Sequence, residues 1–491
     1  MKKFITFSLV ILAAVVAFAT NPKREFRGAW LHTVHQGQYA SQSTSENQKY
    51  LRDQLDRLQA AGVNVVIFQI RPSADSFYPS RLEPWSRFLS GKPGVAPSPA
   101  WDPLQFMIDE CHARGMELHA WLNPYRVTTT AKEVPAEGHL YHKYPKRFIR
   151  YDGKLYFDPG QPENRKFICS VVDDIISRYD VDGIHMDDYF YPYPAGNQPF
   201  PDDASYKKYG KGMDRGDWRR KNVDMLIEEL HNTIDARKPW ICFGVSPFGI
   251  WRNKSSDERG SDTNGLQNYD ALYADVLLWS EKGWIDYNMP QLYWELEHKA
   301  APSLTLVHWW NKNANGRHMI IGQDVNKTMS KPDLAPSVEK SQLRHKVELS
   351  RQLENISGNC WWPGYSISKN YLGVADSLAG NWQSTVALPP TYPWKASAGP
   401  AVVKGVKMSG DRLQWKKPAQ KGRISDTVRF VVYKSEKGAD ADIENPENIL
   451  GITYSDSFTL PSDVQKGTYL IVTALDRVNN ESAPSMPVKI K

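Results

Sequence analysis

NQKYLRDQLDRLQAAGVNVVIFQIRP, residues 47–72, holds one complete unit of the fold. In its first half Leu51, Leu55 and Leu58 recur at steps of four and three, drawing a single apolar stripe along a helix of 3.6 residues per turn. Ala61-Gly62 then supplies a left-handed stop, and the run VVIFQI follows without polar alternation. A strand apolar on both faces belongs to a parallel sheet covered by helices.

The unit repeats along the chain. Candidate strands fall at 26–34, 64–72, 116–124, 182–190, 241–249, 286–294, 318–325 and 358–365. Segments of helical period lie at 47–61, 103–114, 163–179, 217–236, 271–282, 303–313, 337–355 and 371–379. Eight β/α units predict a closed (β/α)8 TIM barrel, because an open doubly wound sheet has no reason to stop at eight. After Asn381 the texture changes: ALPPTYPWKASAGP, residues 387–400, reads as a Pro-rich linker, and short alternating runs with Trp415 and GTYLIVTALD at 467–476 predict a small all-β sandwich. The expected division is a signal peptide at 1–19, a barrel at 24–383, a linker at 384–399 and a sandwich at 400–491.

The signal peptide rests on Lys2 and Lys3, an apolar run from Phe4 to about Ala19, and Ala17-Phe18-Ala19 as a small-x-small cleavage site. That run is short of the roughly 20 residues a membrane-spanning helix needs, so the expectation is an exported chain, periplasmic or secreted, without stable membrane insertion. Removing Lys2 and Lys3 takes the formal charge from +6 to +4, and no run of five basic residues occurs, which argues against nucleic acid as a partner. Cys111, Cys169, Cys242 and Cys360 are far apart and inside apolar elements, so they read as buried free thiols. No metal or organic cofactor is called for.

In a barrel of this kind the active site forms at the strand C-terminal ends. The polar and aromatic residues gathered there are His32 and His35 after the first strand, Arg71 and Asp75 after the second, Asn123, Tyr125 and Arg126 after the third, and Asp187, Asp188, Tyr189 and Tyr191 after the fourth. Ser246 and Arg252, then Gln291, Tyr293, Trp294 and Glu295, then Gln323, Asp324 and Asn326, and last Trp362 and Tyr365 follow on the remaining strands. Within DGIHMDDYFYPYP, residues 182–194, the period of two sets His185 and Asp187 on one face and Ile184, Met186 and Asp188 on the other. If the apolar pair faces the helices, His185 and Asp187 point into the barrel. The same count groups Gln291, Tyr293 and Glu295. A recessed carboxylate opposed by a second acid is what glycoside hydrolysis needs, and aromatic rings suit the apolar C–H faces of sugars. The structural alternatives are a helix cap or loop salt bridge for the Asp pair, an ion pair with Lys299 or His298 for Glu295, structural ion pairs for Arg71 and Arg126, and plain core packing for each strand Trp.

FRGAWLHTV, FQIRPSADSFYPS, HAWLNPYR, DGIHMDDYFYPYP, GVSPFGIWRN and MPQLYWE, in this order, resemble the glycosyl-hydrolase-like family 10, bacterial exported (β/α)8 barrels. The resemblance runs from about Arg24 to Trp382 and implies hydrolysis of an amino-sugar glycan, with peptide-stripped peptidoglycan favoured. The DG-x-x-x-D spacing is similar to strand 4 of α-amylase and α-galactosidase barrels, which implies a nucleophile at Asp187. Strand 5 here carries no carboxylate, which leaves Glu295 as the better candidate for the acid, and a chitinase-type acid would fall at Tyr189, which weighs against assistance by the substrate's own N-acetyl group. The sandwich, with Trp415, Tyr469 as corner tyrosine and DRVNNES at 476–482, resembles a fibronectin type III domain.

The expectation is therefore an exported glycoside hydrolase. Asp187 serves as nucleophile or charge stabiliser and Glu295 as general acid, with Asp188 and Asp324 in reserve. Arg71, Asp75, Asn123, Tyr125, Arg126, His185, Tyr189, Gln291, Tyr293, Trp294 and Asp324 surround the polysaccharide substrate. The rivals are a hydrolase of dietary or host polysaccharide and a glycan-binding barrel without turnover.

Overall fold

The computed structural model describes residues 21–334, 340–396, 398–436, 438 and 441–491. The signal peptide expected at 1–19 and residues 337–339 of the seventh expected helix lie outside these. Eight parallel strands close into a barrel: β1 (Phe26–Leu31), β2 (Val65–Arg71), β3 (Glu117–Leu122), β4 (Gly183–Met186), β5 (Cys242–Val245), β6 (Tyr287–Asn288), β7 (His318–Asp324) and β8 (Ile356–Trp362). Each pairs with its sequence neighbour, and β1 pairs with β8 to complete the ring.

The helices follow the stripes read from sequence. In α1 (Thr44–Ala60) the three leucines Leu51, Leu55 and Leu58 are fully buried, and a Ser43–Glu46 capping box satisfies the first turn. Truncating any one of them to Ala costs about 2–5 kcal/mol. Gly62 takes a φ of 83° where the chain turns back into β2, a backbone that favours glycine. α2 (Pro103–Ala113), α3 (Pro162–Arg178), α4 (Arg215–Arg237), α5 (Val276–Glu281), α6 (Ser303–Lys312) and α7 (Leu343–Gln352) continue the outer layer. The expected eighth helix is broken into a short helix at Val374–Ser377 flanked by tighter and wider turns.

The barrel interior is polar along its axis. Tyr287 on β6 lies between His119 on β3 and His185 on β4, with Nδ1 of each imidazole 3.0 and 2.9 Å from its hydroxyl. Gly244 makes room for that phenol: a Cβ there would lie 1.9 Å from the Tyr287 ring. At the floor, Phe26, Cys242, Cys360 and Tyr392 close the barrel with apolar atoms.

The segment expected to be a linker is a strap along this floor. Glu25 N–H donates to Leu388 O at 3.0 Å, Trp394 Nε1 donates to Asp286 Oδ1 at 2.7 Å, and Lys395 pairs with Asp286 at 3.1 Å. Beyond it, β9 (Lys404–Ser409), β10 (Arg412–Lys416) and β13 (Ser457–Thr459) form one antiparallel sheet. β11 (Arg429–Ser435), β12 (Ile449–Thr453), β14 (Tyr469–Leu475) and β15 (Val488–Lys489) form the second. This sandwich docks tightly: Arg429 of β11 makes a buried 2.8 Å ion pair with Glu117 at the start of β3, and the Tyr454 ring stacks on His112 at 4.0 Å.

Candidate active site

Asp182 of the DG-x-x-x-D run is structural: it accepts from Leu118 N–H at 2.8 Å and lies 2.9 Å from His112, tying β4 to its neighbours. Four residues on, β4 ends at Met186, and the chain leaves strand geometry. The period of two therefore stops, and Asp187 and Asp188 both line one cavity at the C-terminal mouth of the barrel, about 490 Å³ in volume. That is room for a sugar or two.

Asp187 is held from below. Its Oδ2 accepts from Trp121 Nε1 at 3.1 Å and Asn123 Nδ2 at 2.5 Å, and its Oδ1 from Tyr189 N–H at 3.3 Å. Asn123 is itself oriented by Gln69 Nε2, which donates to its Oδ1 at 2.8 Å. Burial, then the neighbouring Asp188, push the Asp187 carboxyl up to about 7. Asp188 is raised too, chiefly by burial, against the stabilising hydroxyl of Tyr193 and the amide of Gln291. Burial thus favours the protonated form at both neighbouring acids, and at Asp187 the charge of Asp188 adds to it.

His185 lies one layer beneath. Trp30 Nε1 donates to its Nε2 at 3.2 Å, which makes that nitrogen an acceptor and leaves the ring proton on Nδ1, facing Tyr287. Ser246 Oγ lies 3.0 Å from the same Nε2 and contributes to the cavity wall, so its hydroxyl donates downward and presents lone pairs to a ligand. Trp30, Trp121 and Trp362 line the cavity, with Trp362 6.1 Å from Trp121 and 4.6 Å from the His32 ring. Burial holds the His32 imidazole near 4, so it is neutral here.

Of the residues singled out from sequence, the cavity brings together Asp187, Asp188, Arg126, Tyr189, Gln291 and Tyr293, with Asn123 and His185 directly behind. Glu295 requires a correction. β6 proper ends at Asn288, the alternation does not carry to residue 295, and the half-buried Glu295 carboxylate pairs with Lys331 at 3.0 Å, outside the cavity. Five others are also displaced. Arg71 is fully buried in a bidentate pair with Glu83, at 2.7 and 2.6 Å, and donates to the Pro124 carbonyl, supporting the β3 loop from beneath. Asp75 accepts from Ser73 N–H beside a separate small cavity, its carboxyl raised to about 6 by burial. Tyr125 is in the core, Trp294 packs edge-on against Phe248, and Asp324 caps the helix at Val325–Ser330.

Sequence reasoning missed the far wall. Phe148–Tyr151 and Lys154–Phe157 form a hairpin in the β3 loop that places Lys154 and Tyr156 on the cavity. Its signal was legible: Asp152-Gly153, with φ of 48° and 71°, is a strong two-residue hairpin turn. Tyr193, in the quoted strand 4 motif, carried no such signal. Among the described residues no group of three or more His, Cys, Asp or Glu could hold a metal ion, and no helix is long and apolar enough to cross a membrane.

Paired buried acids at the C-terminal mouth of a β/α barrel, floored by indoles, define the class: this is the working end of a barrel glycoside hydrolase. The relatives carry the same designation. The family model of glycosyl hydrolase-like 10 matches residues 25–335. Glycosyl hydrolase YngK of Bacillus subtilis (strain 168) is 38% identical over 499 residues, covering 97% of this chain and 96% of the relative. Glycosyl hydrolase DigH of Escherichia coli (strain K12) is 42% identical over 318 residues, 60% of this chain and 71% of the relative. Among solved structures, the PgaB (BpsB) glycoside hydrolase domain from Bordetella bronchiseptica superposes with a TM-score of 0.46 at 13% identity, over 73% of this chain and 99% of that one. The chain belongs to the glycosyl hydrolase-like 10 family.

Proposed function

We propose that this glycosidase cleaves an N-acetylated bacterial cell-wall glycan, with peptide-stripped peptidoglycan as substrate, and that Asp187 and Asp188 do the chemistry. The observation that carries this is geometric: two buried carboxylates, Asp187 and Asp188, line one cavity whose wall carries no glutamate. Three fixed donors converge on Asp187 and suit it to carry the negative charge, and Asp188, whose second oxygen is free of the Tyr193 hydroxyl, is the proton donor of this reading.

Neighbouring residues of one loop occupy one side of a cleft, which leaves the opposite side to the acetamido group of the substrate itself. In the first step the acetamido oxygen bonds to the anomeric carbon while the glycosidic C–O bond breaks and the Asp188 proton passes to the leaving oxygen. Asp187 stabilises the positive charge that develops on the ring and the acetamido nitrogen. Water then attacks the anomeric carbon as its bond to the acetamido oxygen breaks, restoring the acetamido group, and the proton lost by that water returns to the Asp188 carboxylate. Trp362 and Trp121 supply flat apolar faces for the sugar rings.

The leader read at residues 1–19 supports export, and the three-plus-four strand division with Trp415 in its core supports a fibronectin type III-like sandwich. Incubating the protein with peptide-stripped strands, chitin oligomers and an α-glucan, with products read by mass, tests the substrate: short glycans from the stripped strands are expected, and products from the α-glucan alone would contradict it.

A further inference from the structure

We propose that Arg126 and Lys154 form a subsite for a carboxylate on the sugar, the free lactyl acid that a muramic residue exposes once its peptide is removed. This rests on the substrate reading above and names how that substrate is told from the peptide-bearing strand. In the intact strand the same carboxyl is an amide and carries no charge; on the stripped strand it is an anion.

The wall is built for fixed placement. Phe157 N–H donates to Tyr125 O at 2.9 Å and Val127 N–H to Leu155 O at 3.0 Å, so the hairpin docks on the β3 loop and sets Arg126, Tyr156 and Lys154 along one side of the cavity. The Arg126 guanidinium is clamped by neutral groups. Its Nε and Nη2 donate to Pro72 O at 3.0 and 2.8 Å, Nη2 also to Asn123 Oδ1 at 3.1 Å, and its plane lies 4.9 Å over the Tyr189 ring. Arg71, Arg87, Arg219 and Arg252 each have a carboxylate partner within 3 Å; among the described residues Arg126 has none within ion-pair distance, and its Nη1 is unengaged.

A half-buried guanidinium held rigid and lacking a counter-ion is matched by a planar carboxylate from outside. Asp187 and Asp188 offset it only in part, because among the described residues neither carboxylate lies within ion-pair distance of it while Asp187 is held by Trp121 and Asn123. Lys154 has an exposed partner, Asp152 at 3.0 Å, in a surface pair of small worth that a bound anion can replace. A second feature marks the same corner: His35, also on the cavity, has a φ of 59°, a strained backbone for a residue that is not glycine. Burial and the charges of Arg126 and Arg87 hold its ring neutral, so it does not compete as a cation.

The test uses the full chain with Asp187→Asn, so that binding is read without turnover. Affinity is measured for peptide-stripped strands, for the same strands with carboxyls coupled to methylamine, for chitin oligomers and for an oligogalacturonate. The free acid should bind about tenfold more tightly than the methylamide. Adding Arg126→Gln or Lys154→Met should shrink that ratio, the free acid losing several-fold more affinity than the methylamide. Equal affinity for the two forms, or equal loss of both in each variant, would overturn the subsite while leaving the substrate reading intact. Binding of the oligogalacturonate but of neither muramic strand would keep the carboxylate site and overturn the cell-wall reading. Binding of chitin oligomers alone would overturn the subsite.

Discussion

Trp121 on β3 donates its indole N–H to the Asp187 carboxylate just past β4, across 3.1 Å, so a residue of the cavity wall also fixes the carboxylate on which the proposed chemistry turns. Trp121→Phe keeps the ring and removes the donor. It should lower kcat by about tenfold while changing KM little, since a lost charge-assisted hydrogen bond is worth about 1.5 kcal/mol or more. Steady-state rates on peptide-stripped strands check this.

The pH profile follows from the pair. In the proposed mechanism activity needs one proton on the two acids; burial raises both carboxyls, Asp187 to about 7, so the acid is lost as pH rises past that region, and at low pH a second proton neutralises the anion. A bell with its alkaline limb near 7 is expected. The Tyr193 hydroxyl favours the Asp188 anion, so Tyr193→Phe raises the Asp188 pKa and shifts the alkaline limb upward by about one pH unit. An unmoved limb would remove Tyr193 from the account.

Arg71 reads from sequence as a substrate contact and is instead a buried ion pair with Glu83. Arg71→Met should cost about 3–5 kcal/mol by leaving the Glu83 carboxylate buried without its partner. The urea midpoint measures it, and a variant as stable as the parent would show that the pair contributes nothing.

The seam between barrel and sandwich titrates. Burial opposes the charge on His112, but Asp182 overcomes it and raises the His112 pKa; in turn Asp182 is held down at about 2 by His112 despite its burial. For His112 the stability is fully present below its unfolded value near 6.5 and is lost as pH rises through the higher folded one. For Asp182 it is present above the unfolded value near 3.9 and is lost as pH falls toward 2. Melting temperature should therefore decline between pH 6 and 9 more steeply in the parent than in His112→Gln.

What was legible in the sequence, and what was not, divides along physical lines. The eight strands and their helices could be read because apolar period is a local property, and Leu51, Leu55 and Leu58 fall where the stripe put them. Alternation placed His185 in the interior because β4 is regular through Met186, and it set Asp188 on the face opposite Asp187, which fails because the strand has ended and both line the cavity. It failed at Glu295 because β6 stops at Asn288 and the chain turns before the count is complete. Arg71 misled because a buried arginine and a ligand-binding one look alike until the partner, Glu83, is seen twelve residues later in a loop. The strap at 384–399 looked like a linker because Pro-rich composition does not reveal that Trp394 reaches Asp286.

The most direct test compares Asp188→Asn with Glu295→Gln on peptide-stripped strands, by kcat/KM. The pair account predicts a loss of about 10²–10⁴-fold for Asp188→Asn and a change within about twofold for Glu295→Gln, whose carboxylate pairs with Lys331 outside the cavity. An active Asp188→Asn enzyme beside an inactive Glu295→Gln enzyme would contradict it.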